Sequence, residues 1–208
     1  RVRHAPIEML AAYTTLLKDR RFVGYALIGG FTFAGMFTFF SAGPFTFEDA
    51  YGISPQGFAA LFSINVVGII LTSFLNTRLV KRLSVDRMLI YSTLWTTLTG
   101  ALMALTAQAE LENFLYVFVP LMLFVAPVAM TIANTNAGAL EDYPQLAGTG
   151  AALLGAMMYT VGATIGVVVG QLYDGTPMPM ALFVFASGTA ALLARLFLVG
   201  PGRTAKQA

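Results

Sequence analysis

Long apolar runs alternate with short polar connectors along most of this chain. Six of the runs are about 20 residues long, which is the length of α-helix that crosses the hydrocarbon core of a bilayer. The pattern therefore predicts an all-α membrane protein with a six-helix transmembrane bundle over residues 22–199. The predicted spans cover residues 22–45, 57–77, 88–107, 114–137, 148–172 and 180–199.

The segment before the first span, residues 1–21, has a different pattern. Apolar residues recur there at roughly helical spacing, and Glu8, Lys18 and Asp19 interrupt them. This spacing predicts a polar linker followed by a short amphipathic helix on the membrane surface. Residues 200–208 are predicted to form a polar tail. The chain starts without Met, which is typical of a fragment or of a processed chain.

The positively charged residues fix the predicted orientation. All 12 Lys and Arg residues fall on one side of the six-span topology, and such a bias marks the cytoplasmic side. We therefore predict that both termini are cytoplasmic. Topology accounts for these cations, so the isoelectric point near 9.0 does not indicate nucleic-acid binding. The densest group lies in the connector after the second span and consists of Arg78, Lys81, Arg82 and Arg87.

Composition supports the membrane assignment and excludes several kinds of enzyme. The chain is 57% hydrophobic and 11% charged, whereas a soluble domain is about 25% charged. It contains no cysteine, and its one histidine, His4, lies in the polar N-terminal segment. A thiol nucleophile, a Cys-ligated metal and an H-E-x-x-H metalloprotease are therefore excluded. We predict that the chain is not an enzyme and has no metal or cofactor.

Polar residues inside the spans bear on mechanism. No Asp or Glu lies near the centre of a predicted span, although proton-coupled pumps usually carry a carboxylate there. Arg195 lies near the predicted cytoplasmic end of its helix, where a long side chain can extend to water, so we assign it a structural role. Asn65 lies near the middle of the second span and needs hydrogen-bond partners. It either joins neighbouring helices or lines a cavity.

Glycine, proline and aromatic residues mark the remaining features of the spans. Gly162, Gly166 and Gly170 form a G-x-x-x-G-x-x-x-G stripe in the fifth span. Such a stripe is typical of close helix packing, and the alternative is a sliding surface used in conformational change. Pro120 and Pro127 predict a bend in the fourth span, with freed carbonyls that need neighbouring donors. The abundant Phe, Met and Tyr side chains would form a pocket suited to bulky apolar ligands.

Five segments in chain order resemble a known family. They cover nearly the whole chain, and their order and spacing are more specific than any one of them. The chain is similar to the C-terminal half of a major facilitator superfamily transporter, and in particular to the Bcr/CflA drug-resistance exporters. The segments are YTTLLKDRRF at 13–22, FFSAGPF at 39–45, YGISPQGF at 51–58, NTRLVKR at 76–82 and AGTGAALLG at 147–155.

This resemblance implies a twelve-helix transporter of the bacterial inner membrane, with this chain supplying helices seven to twelve. Its partner would be the N-terminal six-helix half, and a lipophilic small molecule would bind between the halves at mid-membrane. Export in exchange for protons would use an acid of the other half. The first, second, fourth and fifth spans would line the cavity. The residues expected to face it are Phe33, Phe37, Asn65, Met157 and Tyr159.

The basic connector resembles a degenerate copy of the superfamily's signature loop. Lys81 stands where the full motif has Asp, and Ser84 stands where it has Gly. We therefore expect this copy not to form the charge-relay contact of the full motif. A different function remains open beside the half-transporter, namely an autonomous six-helix carrier or channel that works as a homo-oligomer through the glycine stripe.

Overall fold

The computed structural model describes the backbone of residues 6–200 and the side chains of residues 11–200. All regular structure in this part of the chain is helical, which confirms the predicted fold class. The eight α-helices are α1 (Pro6–Lys18), α2 (Arg20–Pro44), α3 (Pro55–Leu79), α4 (Val85–Gln108), α5 (Leu115–Val125), α6 (Val128–Leu140), α7 (Ala147–Gln171) and α8 (Met178–Ala194).

Among residues 6–200, six apolar stretches of helix are long enough to cross a membrane. The fourth is α5 and α6 together, interrupted at Ala126 and Pro127. Pro120 lies inside α5 without a break. The six stretches are Arg20–Ala50, Pro55–Leu79, Val85–Gln108, Leu115–Leu140, Pro144–Gln171 and Met178–Val199.

Side-chain caps set the starts of three spans. The carboxylate of Asp19 accepts a hydrogen bond from the backbone N–H of Arg21 at 2.8 Å. Ser54 caps α3 in the same way, and Pro55 occupies the first turn, where a missing N–H costs little. Ser84 caps α4. The second and third spans therefore begin slightly earlier than the apolar pattern alone predicts.

The first span continues beyond its predicted end at Phe45. A π-helical turn, Phe45–Ala50, follows α2 directly. Phe47 in this turn is fully buried, and its ring stacks on Phe58 at 6.2 Å and meets Phe118 edge to face at 6.0 Å. Burial of this ring stabilises the turn and so extends the first span past residue 45.

The helix α2 lies at the centre of the bundle and packs against α6, α7 and α8, while α4 packs against α8 and α5. The helices differ widely in how far the bundle covers them. Of the most apolar window in each span, 67% of residues are buried in the first span but 11% in α3 and 28% in the fifth span. The faces of α3 and α7 are thus left open.

Residues 1–5 and 201–208 lie outside the described part of the chain. The predicted positions of Arg1, Arg3, His4, Arg203 and Lys206, and nearly all of the predicted tail, therefore stay predictions. The predicted amphipathic segment is helical as α1. Its Leu16 is fully buried against the bundle, while the neighbouring Leu17 is about half exposed.

Candidate functional site

Three of the predicted cavity residues meet on one surface of the bundle. The ring of Tyr159 on α7 lies 5.0 Å from that of Phe33 on α2, with the ring planes 30° apart. Phe37, one turn further along α2, packs edge to face with Tyr159 at 6.4 Å and with Phe33 at 6.2 Å. Aromatic rings attract each other at these separations, so the three side chains form one cluster.

The cluster continues into a longer row that sequence reasoning missed. The ring of Phe40 lies 5.9 Å from that of Phe37, and Phe62 of α3 lies 5.5 Å from Phe40. The spacing of four and three residues along α2 could have revealed Phe40, because such positions share one helix face. The aromatic row defined here consists of Tyr159, Phe33, Phe37, Phe40 and Phe62, and Tyr159 is 57% exposed.

The glycine stripe brings α7 close enough to α2 for this contact. A Cβ atom at Gly162 would lie 3.1 Å from the Cβ of Phe33 and 3.2 Å from the ring of Phe37. A Cβ at Gly166 would lie 3.0 Å from the hydroxyl oxygen of Ser41, whereas one at Gly170 would have ordinary room. The stripe and the aromatic row are therefore two sides of one helix contact.

The structure places the other two predicted cavity residues outside the aromatic row. Asn65 is 2% exposed, and its Nδ2 donates to the carbonyl of Leu61 in the same helix at 3.1 Å. Its Oδ1 accepts no hydrogen bond from the described residues. Met157 is half-buried against a core cluster that contains Leu16 and Phe22.

Between residues 151 and 164 the outward face of α7 is unusual for a membrane helix because, apart from Tyr159, its exposed side chains are alanine and threonine. Thr160 lies beside Tyr159 on this face, and its hydroxyl donates to the carbonyl of Ala156 at 2.7 Å. Small side chains of this kind favour contact with another helix over contact with lipid tails. The exposed small residues are Ala151, Ala152, Ala156, Thr160, Ala163 and Thr164.

A charged cluster joins the first, third and sixth spans at the end that carries the basic connector. Asp86, at the start of α4, lies 3.4 Å from the guanidinium of Arg195 and 4.0 Å from that of Arg21. The hydroxyl of Tyr25 donates to the same carboxylate at 3.3 Å. Arg195 also donates to the carbonyl of Gly200. The cluster depends on tertiary contacts that no local pattern reveals.

Arg195 does not extend to water as its position near the helix end predicted. Its side chain is 2% exposed, which makes it one of the largest fully buried side chains of the described residues. The physical reason is the carboxylate of Asp86 on the neighbouring helix, which draws the guanidinium inward and neutralises its charge. The structural role assigned to Arg195 is retained, but as an inward ion pair.

The basic connector itself is exposed. Arg78, Lys81, Arg82 and Arg87 all lie on the surface, and the guanidinium of Arg78 lies 5.3 Å from the centre of the ring of Phe74. None of the four forms an ion pair with another described residue.

A second polar contact lies at the same end of the bundle. The hydroxyl of Tyr143, in the connector before α7, donates to the carboxylate of Asp19 at 2.6 Å. This hydrogen bond, with a smaller contribution from burial, raises the pKa of Tyr143 to about 12. Since Asp19 also caps α2, the contact links the ends of the first, fourth and fifth spans.

Neither a metal nor an enzyme site is evident in the described part of the chain. No group of three or more His, Cys, Asp or Glu side chains could hold a metal ion there. A hollow of about 460 Å³ lies among the connectors at the other end of the bundle, lined in part by Tyr51, Glu110 and Met178. No ring of the aromatic row lines this hollow.

Comparison with known proteins relates the chain to membrane transporters. It is 33% identical over 186 residues to a bicyclomycin resistance protein homolog of Haemophilus influenzae, a match that covers 89% of this chain and 46% of that protein. It is 31% identical over 180 residues to an uncharacterized MFS-type transporter of Bacillus subtilis, covering 86% of this chain and 44% of that protein. No family model matches the chain.

The chain thus spans about half the length of the curated relatives it matches. Together with the six apolar helices, these relatives make it a multi-pass membrane protein. Because the relatives are named as transporters, the prediction that the chain is not an enzyme is confirmed.

Proposed function

This chain belongs to the major facilitator superfamily, in its Bcr/CflA group, and we propose that it forms the C-terminal six-helix half of an efflux transporter. Its partner is an N-terminal six-helix half, and the substrate is a lipophilic small molecule that binds between the two halves. The chain spans about half of each relative, which agrees with this division.

The observation that carries the proposal is the open surface formed by α2, α3 and α7. It combines exposed aromatic rings with the small side chains of α7, and no charged side chain belongs to the aromatic row. Small side chains allow a facing helix or a ligand to approach the backbone. Rings on such a surface bury apolar ligands without demanding one ligand shape. Both properties suit a substrate site shared between two halves.

Within this site Phe33, Phe37 and Tyr159 contact the substrate directly. Asn65 and Met157, which lie outside the aromatic row, act from behind the surface or become accessible when the halves rearrange. Alternating access then consists of rocking one half against the other around the site. Proton coupling requires a titrating group in the membrane, and no Asp or Glu lies near a span centre in this chain. The coupling acid therefore belongs to the other half.

The proposed orientation places the basic connector and both chain ends in the cytoplasm of a bacterium, with the spans in its inner membrane. The positive charges of Arg78, Lys81, Arg82 and Arg87 support it, because loops with such charges resist translocation.

Energised dye efflux tests the half-transporter directly. Cells expressing this chain alone are compared with cells expressing it together with its upstream half, using ethidium with and without a protonophore. We expect protonophore-sensitive efflux in the paired cells and none from the chain alone. Strong efflux from the chain alone would contradict the proposal and favour a homo-oligomeric carrier or channel.

A matched pair of tyrosine variants tests the site. Tyr159 and Tyr91 are both 57% exposed, but Tyr91 lies on the outward face of α4, away from the aromatic row. We expect Tyr159→Ala to change the relative efflux rates of different compounds at an unchanged protein level, and Tyr91→Ala to leave them unchanged. An equal loss of protein and efflux in Tyr159→Ala would identify Tyr159 as a packing residue.

A further inference from the structure

The fourth span is broken between α5 and α6, and the break frees two backbone carbonyls. Pro127 has no N–H, so the carbonyl of Leu123, four residues earlier, cannot receive the usual helical hydrogen bond. The carbonyl of Ala126 also receives no backbone hydrogen bond within the part of the chain that the structure describes. In a bilayer such groups must find donors inside the protein, because no water reaches them.

Side chains from two neighbouring helices supply the donors. The indole Nε1 of Trp95 on α4 donates to the carbonyl of Leu123 at 2.9 Å. The hydroxyl of Thr72 on α3 donates to the carbonyl of Ala126. The two helices are in contact here, since a Cβ at Gly68 would lie 3.5 Å from that of Ala126, an ordinary van der Waals distance. Each freed carbonyl is therefore capped from a different side of the break.

The two caps differ in what could replace them. The carbonyl of Leu123 has no alternative donor in its own helix, because the residue four positions later is Pro127. The carbonyl of Ala126 has one, since the N–H of Met130 is four residues later and is free to donate when the helix closes. Loss of Trp95 therefore leaves a carbonyl unpaired, whereas loss of Thr72 does not.

Thr72 also has alternative acceptors of its own. Its hydroxyl oxygen lies 3.1 Å from the carbonyl of Gly68 and 3.1 Å from that of Ile69, both in α3. A hydroxyl has one hydrogen and can donate to one of these oxygens at a time. The Thr72 hydroxyl can donate instead to the carbonyl of Gly68 or Ile69, and the N–H of Met130 can then donate to the carbonyl of Ala126. Neither the hydroxyl nor the carbonyl of Ala126 is then left unpaired.

We infer that the break is a two-state hinge in which Trp95 is the permanent cap and Thr72 is an exchangeable latch. In the bent state, which the structure shows, the hydroxyl of Thr72 donates to the carbonyl of Ala126. In the straighter state the N–H of Met130 donates to that carbonyl, and the hydroxyl of Thr72 donates to a carbonyl within α3. The exchange changes the angle between α5 and α6 and removes the hydrogen bond from α3 to the break. The indole N–H of Trp95 donates to the carbonyl of Leu123 in both states. The inference concerns conformations of this chain and is independent of what the protein transports.

The swing is large enough to measure. The 11 residues of α5 span about 16 Å at about 1.5 Å per residue. Kinks at proline exceed about 20°, and a change of that size at the break moves the far end of α5 by about 5 Å. Because this chain contains no cysteine, spin labels can be placed on it at chosen pairs of positions.

The test is a distance measurement by electron–electron double resonance on the intact protein in lipid nanodiscs. Labels at Tyr116→Cys on α5 and Leu182→Cys on α8 report the swing, and both positions are about half exposed. Thr72→Val removes the hydroxyl and keeps the shape, while Thr72→Ser keeps the hydroxyl as the matched control. Trp95→Phe removes the indole N–H. The thermal unfolding temperature of each variant is measured in parallel.

We expect Thr72→Val to shift the main distance by about 5 Å, or to add a second population at that separation, with little change in unfolding temperature. Thr72→Ser should keep the distance of the unmodified protein. Trp95→Phe should lower the unfolding temperature without the shift. Identical distances for Thr72→Val and the unmodified protein would overturn the latch. A shift in Trp95→Phe equal to that in Thr72→Val would overturn the distinction between the two caps. Since no arm measures transport, failure here and failure of the proposed function are separable.

Discussion

The helices α4 and α7 are nearly equal in length, with 24 and 25 residues, but their outward faces are built from different side chains. The exposed side of α4 is large and apolar, and resembles ordinary lipid-facing surface. The exposed side of α7 carries alanine and threonine around Tyr159 between residues 151 and 164, and Val167 and Val168 follow. Exposure in an isolated bundle therefore covers two kinds of surface, one suited to lipid and one suited to a protein or ligand. The large residues of α4 are Tyr91, Leu94, Trp95, Leu98, Leu102 and Leu105.

The contacts that each helix makes inside the bundle, here called its seam, differ as well. On α4, a Cβ at Gly100 would lie 2.8 Å from the backbone Cα of Phe185 on α8, and a Cβ at Gly188 would lie 2.9 Å from the carbonyl of Thr96. This seam joins backbone to backbone and cannot adjust. The seam of α7 at Gly162 meets the side chains of Phe33 and Phe37. The ring of Phe37 can yield by a small rotation, whereas the Cβ of Phe33 moves only with its backbone. One of the two contacts is therefore adjustable, which suits a surface that must fit different ligands.

The same contrast extends to how each helix is held at the end with the basic connector. The start of α4 is tied by the ion pair between Asp86 and the buried Arg195. The connector before α7 is tied by one hydrogen bond between Tyr143 and Asp19. We therefore expect α4 to belong to the rigid part of the bundle and α7 to its adaptable part. Four predictions test this difference, in order of decreasing effect.

Asp86→Asn should be the most damaging change, because it leaves Arg195 buried without a countercharge. Breaking a buried ion pair from one side costs about 3–5 kcal/mol. Since Asp86 is itself 21% exposed, we expect about 3 kcal/mol, the low end of that range. The measurement is thermal unfolding of the purified protein, with Glu141→Gln as a control that neutralises an exposed acid.

Removing both partners separates the ion pair from other roles of Asp86. In Asp86→Asn with Arg195→Met no charge is left buried at that position, so part of the lost stability should return. If Asp86→Asn unfolds at the same temperature as Glu141→Gln, the start of α4 is not anchored by this cluster.

A lysine placed at matched depth tests the outward faces. Leu98 is the fourteenth residue of α4, and Thr160 is the fourteenth of α7, which enters the bundle from the same end. A charged residue at the centre of a lipid-facing helix costs about 2.5–3.5 kcal/mol. We expect Leu98→Lys to reduce the amount of protein in the membrane severalfold. Thr160→Lys should reduce it much less if, as proposed, its face meets the other half of the transporter and not lipid.

The readout for this pair is the membrane level of a fluorescent fusion in cells that also express the upstream half. Equal losses for Leu98→Lys and Thr160→Lys would mean that both faces contact lipid, which would remove the distinction between them and weaken the proposed substrate surface.

Much of this architecture can be predicted from the sequence because a membrane span is recognisable from a local run of apolar residues. Apolar runs and proline positions are enough to predict six spans and a broken fourth span. Hydrogen-bonding needs predict that the freed carbonyls have donors, but not that Trp95 and Thr72 supply them. Phe33, Phe37 and Tyr159 were predicted as cavity residues, and the structure brings them together, although their contact with substrate stays a proposal.

Other features could not be predicted because they depend on helix rotation or on distant partners. Successive helical residues point about 100° apart, so an apolar run does not show whether Asn65 or Met157 faces the core. The inward position of Arg195 depends on Asp86, which is 109 residues away in sequence. The extension of the first span depends on Phe118. Spacing within one helix contains no information of this kind.

Alanine substitutions test the two seams against each other. Alanine is about 1 kcal/mol more favourable than glycine inside a helix, and overpacking costs about 1–3 kcal/mol. At Gly100 the clash is with backbone, so we expect Gly100→Ala to lose about 2 kcal/mol net. At Gly162 the nearest contacts are longer, at 3.1 and 3.2 Å, and the ring of Phe37 can rotate away, so the two effects should nearly cancel. Unfolding temperatures check both values.

Gly162→Ala should nevertheless alter function, because its new methyl group displaces the ring of Phe37 and presses on the Cβ of Phe33. We expect changed relative efflux rates at normal stability, and unchanged rates in Gly170→Ala, where a Cβ has room. A Gly162→Ala protein as unstable as Gly100→Ala would show that both seams are equally rigid.

The smallest effect is expected at the hydrogen bond between Tyr143 and Asp19, before α7. Because hydrogen bonding to Asp19 raises the pKa of Tyr143 to about 12, the folded state holds the phenol proton more tightly than the unfolded state, whose pKa is about 10. The contribution of this tyrosine to stability is therefore complete below pH 10 and is lost as the pH rises towards 12.

Tyr143→Phe removes one hydrogen bond at a partly exposed position, so it should cost about 1 kcal/mol or less near pH 8. The difference in unfolding temperature between the unmodified protein and Tyr143→Phe should then shrink between pH 10 and 12. A difference that stays constant over this range would mean that the phenol does not hold the connector before α7 through its proton, and that α7 is anchored by packing alone.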